Sequence, residues 1–173
     1  MYKKLKDAVT GKETPFTTTL SYTWRSRNLI FNFKCANSKC FSAYSEDNDP
    51  IYLGDVVELF LCTGKDPNEY YEIEVAPNGT RFFALIKNKG EKLDLTFFAP
   101  PFTADVRMTE GGYDVTITIP ESSIGYTGKE KIRFNAYRIE TEGGTPEKNL
   151  LALNPTGKRA FHVPERFVTL DID

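Results

Sequence analysis

The sequence predicts an all-β fold, a single-domain antiparallel β-sandwich of immunoglobulin-like or jelly-roll-like layers over residues 1–173. Three observations support this prediction. Apolar and polar residues alternate with a period of two, which is typical of strands that bury one face. Turn sequences rich in Gly, Pro and Asn separate the alternating segments. No window of a dozen residues carries the apolar stripe of a helix, so many strands with little helix favour a sandwich.

Five segments alternate strongly enough to be predicted as strands. In chain order they are LIFNFKC (29–35), VVELFLC (56–62), YYEIEVAP (70–77), YDVTITIP (113–120) and IRFNAYRIE (132–140). APNGT (76–80), at the end of YYEIEVAP, is typical of a hairpin turn between two strands, since Asn and Gly tolerate positive φ. PESSIG (120–125) is short enough to form only one helical turn.

Charge and hydropathy exclude several classes of partner. The 22 basic and 24 acidic residues leave a net charge of −2, so nothing predicts a nucleic-acid partner, which needs a concentrated basic surface. No stretch approaches the roughly 20 apolar residues of a membrane helix. The N-terminus lacks the apolar core of a signal peptide. We therefore expect a cytoplasmic protein if Met1 is the native start, and a secreted one if a leader was removed.

The three cysteines do not indicate a zinc site, because no CxxC pair occurs. Cys35 and Cys62 lie within apolar runs and are predicted to be small buried hydrophobes. A Cys35–Cys40 or a Cys35–Cys62 bridge remains open at this stage.

Residues for catalysis are scarce. His162 is the only histidine and no GxSxG motif occurs, so nothing predicts nucleophilic catalysis. Glu58 and Glu74 are expected on the polar faces of neighbouring strands, where a facing pair could hydrolyse a glycoside. Such a pair is more typical of a solvated or hydrogen-bonded sheet face. The acidic loops EDNDP (46–50) and DPNE (66–69) could bind calcium but are more typical of polar turns.

The segment AFHVPERF (160–167) places His162 between an aromatic residue and a proline. Pro164 fixes φ, so HVPERF is predicted to be a rigid extended crossing into the last strand. Phe161 and Phe167 are expected to fill the two ends of the core. His162 is predicted to be an architectural residue that hydrogen-bonds the backbone or a carboxylate.

The order of several motifs resembles a known family. DPIYLGDVVELFLCTGKDPNEYYEIEVAPNGT (49–80), IRFNAYRIE (132–140), LNP (153–155) and FHVPERF (161–167) together resemble the family 9 carbohydrate-binding modules, a group of DOMON-type β-sandwiches. The resemblance covers essentially the whole chain. It implies a non-catalytic protein that binds a mono- or oligosaccharide, including a reducing end, by aromatic stacking and hydrogen bonds.

The resemblance also implies site residues. Tyr52 matches one stacking ring, while Leu153 stands where a second ring is expected. The residues that match hydrogen-bonding positions are Glu58, Arg81, Asn135, Arg138 and Asn154. No cofactor is expected apart from a structural calcium, whose ligands the match does not place.

Three alternatives remain open. One is a haem-binding DOMON-type redox domain that uses Met108 and His162 as axial ligands. Another is a glycan-processing accessory protein that retains no sugar binding. The third is an enzyme that uses Glu58 and Glu74.

Overall fold

The computed structural model describes residues 2–171, and it confirms the predicted antiparallel β-sandwich. The strands are β1 Lys3–Lys4, β2 Lys6–Asp7, β3 Thr18–Arg25, β4 Asn28–Ala36, β5 Val56–Cys62, β6 Glu69–Val75, β7 Arg81–Asn88, β8 Leu93–Phe97, β9 Thr103–Thr109, β10 Gly112–Pro120, β11 Arg133–Glu140, β12 Asn149–Ala152 and β13 Val168–Thr169. Single 3₁₀ turns span Ile51–Leu53, Glu121–Ile124 and Pro164–Arg166. Within this described range, no helix has the length and apolarity needed to span a membrane.

The strands form two antiparallel sheets. The five-stranded sheet has the order β1-β3-β4-β10-β9, and the eight-stranded sheet has the order β2-β12-β11-β5-β6-β7-β8, with β13 paired to β11. The predicted alternation is confirmed where the sheets face each other. Phe31 and Phe33 of β4, with Val115 and Ile117 of β10, pack against Leu59 of β5 in one apolar core. The period-two pattern therefore follows the pleat of the strands.

The prediction that the strands bury only one face is wrong for the eight-stranded sheet. Its outer face carries a second apolar core that includes Phe60, Tyr70, Ala84 and Tyr137. Loops and terminal segments cover this face through residues such as Phe161. Sequence alternation misses this arrangement because the covering segments have no periodicity of their own.

Asp55 ties two of the covering segments to the start of β5. Its buried carboxylate accepts hydrogen bonds from the backbone N–H of Phe41 at 2.7 Å and of Thr141 at 2.7 Å. The Thr141 hydroxyl donates to the same carboxylate at 2.6 Å. Hydrogen bonds to a carboxylate are stronger than those between neutral groups, so this residue fixes both loops over the outer face.

The turns follow the sequence predictions with one exception, in the segment AFHVPERF, where the packing of two aromatic residues also differs from the prediction. Gly79 has a φ of 87° in the β6–β7 hairpin, and Glu121–Ile124 forms the single helical turn expected within PESSIG. The predicted extended crossing at HVPERF is wrong, because Pro164 begins a 3₁₀ turn. Phe161 and Phe167 do not fill opposite ends of the core. Both pack on the outer face of the eight-stranded sheet.

The three cysteines are free thiols. Cys35 and Cys62 are buried as predicted, and neither of the bridges that the sequence left open is formed. Burial raises the pKa of the Cys35 thiol to about 12. The Cys35 thiol therefore behaves as a small apolar side chain. The Cys62 sulfur, in contrast, accepts a hydrogen bond from the Arg133 guanidinium at 3.2 Å and donates to the Asp66 carbonyl at 3.3 Å.

Candidate functional site

A cavity of about 440 Å³ opens on the outer face of the eight-stranded sheet. This volume falls within the range of small-molecule binding sites. Its walls combine aromatic and aliphatic side chains with charged groups from four regions of the chain. The lining residues are Tyr52, Glu58, Glu72, Phe82, Leu93, Leu95, Ile139, Lys148, Leu150, Arg159, Ala160, Phe161 and His162.

Two aromatic side chains stand at right angles on one side of the cavity. Tyr52 belongs to the 3₁₀ turn that precedes β5, and 41% of its surface remains exposed. Its ring packs edge-on to Phe82, with 6.3 Å between centroids. The Lys148 ammonium donates to the Tyr52 carbonyl at 2.7 Å and lies 6.0 Å from the centre of the ring. These contacts hold Tyr52 in place while leaving ring surface free for a ligand.

Phe161 contributes a further ring to the wall. It stacks on Tyr137, with centroids 4.2 Å apart and planes inclined by 13°. The Tyr137 hydroxyl donates to the Phe161 carbonyl at 3.0 Å. The segment after β12 is thus anchored to β11 by both stacking and a hydrogen bond.

Three glutamates cluster beneath the cavity. Glu58 and Glu74 stand directly opposite each other on β5 and β6, and Glu72 lies two residues before Glu74 on the same face. One carboxylate oxygen from each residue can be chosen so that all three lie within 4.8 Å of one another. Only 2% of Glu58 and 0% of Glu74 are exposed. The expectation of a solvated polar face is therefore wrong at these positions.

Burial changes the acidity of this cluster. Desolvation, followed by repulsion from Glu72, raises the pKa of Glu58 well above its usual value. Desolvation also raises the pKa of Glu74 strongly, with further contributions from Glu58 and Glu72. For Glu72, burial raises the pKa to about 7. Carboxylates crowded in this way resist ionising together.

His162 lies in the cavity wall. Its ring stacks on Phe60 at 4.8 Å, and Nδ1 is 2.8 Å from the Tyr70 hydroxyl. Nε2 lies 3.7 Å from a Glu72 carboxylate oxygen. Burial lowers the pKa of His162 to about 4, so the imidazole is neutral at neutral pH. The imidazole therefore hydrogen-bonds the Tyr70 hydroxyl, where the sequence predicted the backbone or a carboxylate as the partner, and the same side chain also borders the cavity.

The hydrogen bonds around Tyr70 favour one tautomer of His162. The Asn88 amide donates to the Tyr70 hydroxyl oxygen at 3.3 Å. We infer that the Tyr70 hydroxyl donates to Nδ1, which places the imidazole proton on Nε2, on the side of Glu72.

Of the six residues that the family resemblance implied as ligand contacts, the structure brings Tyr52 and Glu58 to the cavity. Arg81 stands opposite the inward-facing Val75, at the margin between the sheets. Its guanidinium donates to Asp47 at 2.7 Å and to the Phe102 carbonyl at 2.8 Å. These contacts engage the Arg81 guanidinium, which the family resemblance implied as a sugar-binding group.

Three other implied residues are engaged inside the fold. Arg138 is fully buried between the sheets and pairs with Glu140 at 2.7 Å. The buried Asn135 amide donates to the Asn154 carbonyl at 2.8 Å, and the Asn154 amide donates to the Arg166 carbonyl at 2.8 Å. These side chains connect strands and loops.

The resemblance also left two positions to be located. Leu153, at the place of the expected second ring, packs against the core between the sheets. Met108, the haem ligand of one alternative, lies on β9 of the five-stranded sheet, whereas His162 covers the outer face of the eight-stranded sheet. The sandwich therefore separates the two side chains of that alternative.

The remaining polar residues of the cavity were missed by the sequence analysis. Glu72 carried a detectable signal, because it shares a face with Glu74 in the YYEIEV alternation. Lys148 and Arg159 carried none. They lie in loop segments that the fold brings over the sheet, where the Arg159 guanidinium donates to the Lys148 carbonyl at 2.9 Å.

Solved structures share this architecture. A protein from Bacteroides uniformis ATCC 8492, named as a candidate carbohydrate-binding protein, matches with a TM-score of 0.79 at 17% identity, over 100% of this chain and 86% of that one. A family 9 carbohydrate-binding module from Caldicellulosiruptor kristjanssonii, solved with cellotriose, matches with a TM-score of 0.70 at 13% identity, over 99% of this chain and 82% of that one. The chain has the fold of the family 9 carbohydrate-binding modules. A family 9 module from the same organism, solved with glucose, matches with a TM-score of 0.69 at 15% identity, over 99% and 84% of the two chains.

One curated relative is similar in sequence. A protein of Arthroderma benhamiae (strain ATCC MYA-4681 / CBS 112371), named as an extracellular protein, is 28% identical over 180 residues, which is 93% of this chain and 81% of that protein. No family model matches the sequence. The family 9 fold is therefore established by three-dimensional similarity.

Proposed function

We propose that this chain, acting as one domain, is a non-catalytic carbohydrate-binding protein whose site is the cavity on the outer face of the eight-stranded sheet. The observation that carries the proposal is the composition of that cavity. Exposed aromatic surface from Tyr52 lies beside hydrogen-bonding groups from Glu58, Glu72, Lys148 and Arg159. A sugar presents C–H faces that stack on aromatic rings, and hydroxyls that need hydrogen-bond donors and acceptors. The cavity offers an aromatic ring for the first and polar side chains for the second.

The ligand class follows from the same cavity and from the shared fold. Family 9 modules of this fold have been solved with glucose and with cellotriose. In the proposed complex, Tyr52 stacks on a sugar ring while Glu58 and Lys148 bind its hydroxyls. Arg81, Asn135, Arg138 and Asn154 stay outside this set because their polar groups are engaged elsewhere. We propose a mono- or oligosaccharide as the ligand.

The arrangement of the carboxylates supports binding over hydrolysis. A retaining glycosidase places two carboxyl groups about 5–5.5 Å apart across the scissile bond. Glu58 and Glu74 instead stand side by side on one sheet face, and Glu74 is fully buried beneath the cavity lining. A substrate in the cavity would meet Glu58 but not Glu74. Release of product from glycoside substrates that is lost in Glu58→Gln would overturn the non-catalytic proposal.

We further propose that the protein acts outside the cell. The curated relative that matches 93% of this chain is named as an extracellular protein. An extracellular location is also where polysaccharide ligands are abundant. Detection of the native protein in the culture medium, with a tagged cytoplasmic protein as the marker of lysis, tests this directly.

Calorimetric titration with glucose, cellobiose, xylobiose and cellotriose tests the binding proposal. We expect Tyr52→Ala to weaken the affinity for a bound sugar by about tenfold or more, because stacking on the exposed ring is lost. Tyr2→Ala is the matched control, since Tyr2 is an exposed tyrosine that lies near Lys34 of the five-stranded sheet. If the wild-type protein binds none of these sugars in calorimetry and no glycan on a broad array, the proposal is refuted.

A further inference from the structure

Glu74 is a buried acid whose side chain forms its hydrogen bond with another acid. It lies on β6, opposite Glu58 of β5 on one side and Phe82 of β7 on the other, and none of its surface is exposed. No N–H or hydroxyl group of residues 2–171 donates to either of its carboxyl oxygens. Its side-chain hydrogen bond is with Glu72, which precedes it by two residues on the same face of the strand.

A hydrogen bond between two carboxyl groups needs a proton. An ionised carboxylate only accepts hydrogen bonds, whereas a protonated one also has an O–H group that donates. Glu74 is the more deeply buried of the two, with none of its surface exposed against 6% for Glu72, which lines the cavity. Because an unpaired charge costs most where water is excluded, the proton is more stable on Glu74. In agreement, desolvation followed by repulsion from Glu58 and Glu72 raises the pKa of Glu74 well above its usual value.

The basic side chains near Glu74 are engaged elsewhere. The Lys148 ammonium donates to the Tyr52 carbonyl at 2.7 Å, and it lowers the pKa of Glu74 by less than burial raises it. The Arg159 guanidinium donates to the Lys148 carbonyl at 2.9 Å. Burial lowers the pKa of His162 to about 4, so its imidazole is neutral at neutral pH. The titratable and charged side chains on this face, from β5, β6, β11 and the segments over the sheet, are Tyr52, Glu58, Tyr70, Glu72, Tyr137, Lys148, Arg159 and His162.

We propose that Glu74 stays a neutral carboxylic acid above neutral pH and donates its O–H to the Glu72 carboxylate, which makes Glu74 a positioning residue for an acceptor in the cavity wall. The Nε2 of His162 lies 3.7 Å from an oxygen of the same carboxylate. A carboxylate has about four acceptor sites, so Glu72 keeps sites for the hydroxyls of a ligand. This last step rests on the proposed carbohydrate binding, whereas the proton on Glu74 does not.

Infrared spectroscopy of the wild-type protein tests the proton directly. At about pH 8, where exposed carboxyl groups are ionised, we expect the carbonyl band of a protonated carboxylic acid, shifted in D₂O. The band should appear in the difference between the wild type and Glu74→Gln. Glu110→Gln, in the exposed turn between β9 and β10, is the matched control and should leave the band unchanged. A wild-type spectrum without this band, or the same band in Glu74→Gln, would overturn the proposal.

Urea unfolding at several pH values provides a second test. Glu74 is expected to keep its proton in the native state, while in the unfolded chain it ionises above about pH 4.3. The unfolded state then binds fewer protons, so this residue makes the protein less stable as the pH rises. Between about pH 5 and 8, the unfolding equilibrium constant of the wild type should rise by up to about tenfold more per pH unit than that of Glu74→Gln. Parallel pH dependence in the two proteins would contradict a neutral Glu74.

Two substitutions of Glu74 test whether its O–H positions Glu72. The amide of Glu74→Gln can donate to Glu72, whereas Glu74→Met fills a similar volume without a donor. For a sugar that the wild type binds, we expect Glu74→Gln to keep the affinity within about twofold and Glu74→Met to weaken it by about fivefold or more. Equal affinities of the two variants would refute the positioning role, as would a Glu74→Gln protein that circular dichroism shows to be unfolded while Glu74→Met folds.

The measurements separate this proposal from the proposed function. If the wild type binds no sugar, carbohydrate recognition and the role of Glu74 toward a sugar are both refuted. The infrared and urea measurements need no ligand and still decide where the proton lies. If neither variant folds, the infrared band of the wild type alone decides it, and its absence refutes a neutral Glu74.

Discussion

Arg138 shows how a single charged residue joins the two sheets. Its guanidinium donates to the Thr18 hydroxyl at 2.8 Å and to the Ala36 carbonyl at 3.1 Å, both on the five-stranded side. Those two bonds come from Nη1, and Nη2 donates to the buried Glu140 carboxylate at 2.7 Å. The pair is therefore neutralised and hydrogen-bonded, which is the condition for keeping charges in a core.

Removing one member of this pair should destabilise the protein strongly. We expect Arg138→Met to lower the free energy of unfolding by about 3–5 kcal/mol, because Glu140 is left as a buried unpaired charge. Arg107→Met is the matched control. Arg107 forms an ion pair with Asp114 at the surface, where the Arg107 side chain is 75% exposed, so losing this pair is expected to cost less than about 1 kcal/mol in the same urea titration. Loss of sugar affinity in folded Arg138→Met protein at unchanged stability would instead return Arg138 to a ligand role.

At the scale of elements, β8 borders the candidate site and also ends the sheet. Leu93 and Leu95 of this strand line the cavity. Phe97, two positions further on the same face, is 52% exposed and packs edge-on to Phe82 at 5.5 Å. Since Phe82 also contacts Tyr52 edge-on, the two exposed rings flank one buried ring. The aromatic surface therefore continues beyond the cavity along the sheet.

This continuation predicts a preference for longer ligands, if the proposed function holds. We expect Phe97→Ala to weaken binding of cellotriose by about fivefold, equivalent to about 1 kcal/mol, while affinity for glucose changes little. Phe98→Ala is the neighbouring control, because Phe98 is 45% exposed but packs toward Phe83 of the inner core. Calorimetry with both sugars measures the difference. An equal loss for glucose and cellotriose would place Phe97 within the primary site.

At the scale of the whole molecule, the eight-stranded sheet lies between two apolar cores. The first core joins the sheets, and the second lies under the loops that form the cavity. The site is therefore built on a sheet that is packed on both faces, which gives it a rigid base. The same burial removes Cys35 and Cys62 from solvent and leaves only Cys40 partly exposed among the three thiols.

Thiol labelling tests this packing. We expect a thiol reagent to label the native protein first at Cys40, which is partly exposed, and to label all three cysteines in denaturant, because burial keeps the reagent from Cys35 and Cys62. Mass spectrometry of labelled peptides identifies the sites. Cys40→Ser, which should abolish rapid labelling of the native protein, is the control. Fewer than three reactive thiols in denaturant would show that a disulfide forms.

The alternation of side chains was sufficient to predict which residues of β4 and β10 face inward. It also contained an unused signal about the site. Arg81 and Arg138 stand opposite the inward-facing Val75 and Val57, so both point away from the face that carries Glu58. Motif similarity aligned these arginines with ligand contacts, but strand register decides the face of each side chain.

The sequence alone therefore specified the β-sandwich, the inner core and two members of the candidate site, Tyr52 and Glu58. A period of two is a local property of the chain, and it survives without any knowledge of tertiary contacts. Only the tertiary structure decided that the outer face is buried and that Lys148, Arg159 and His162 meet the glutamates of β5 and β6. Those contacts join segments that are distant in the chain, and their loops carry no periodic pattern that reveals which surface they cover.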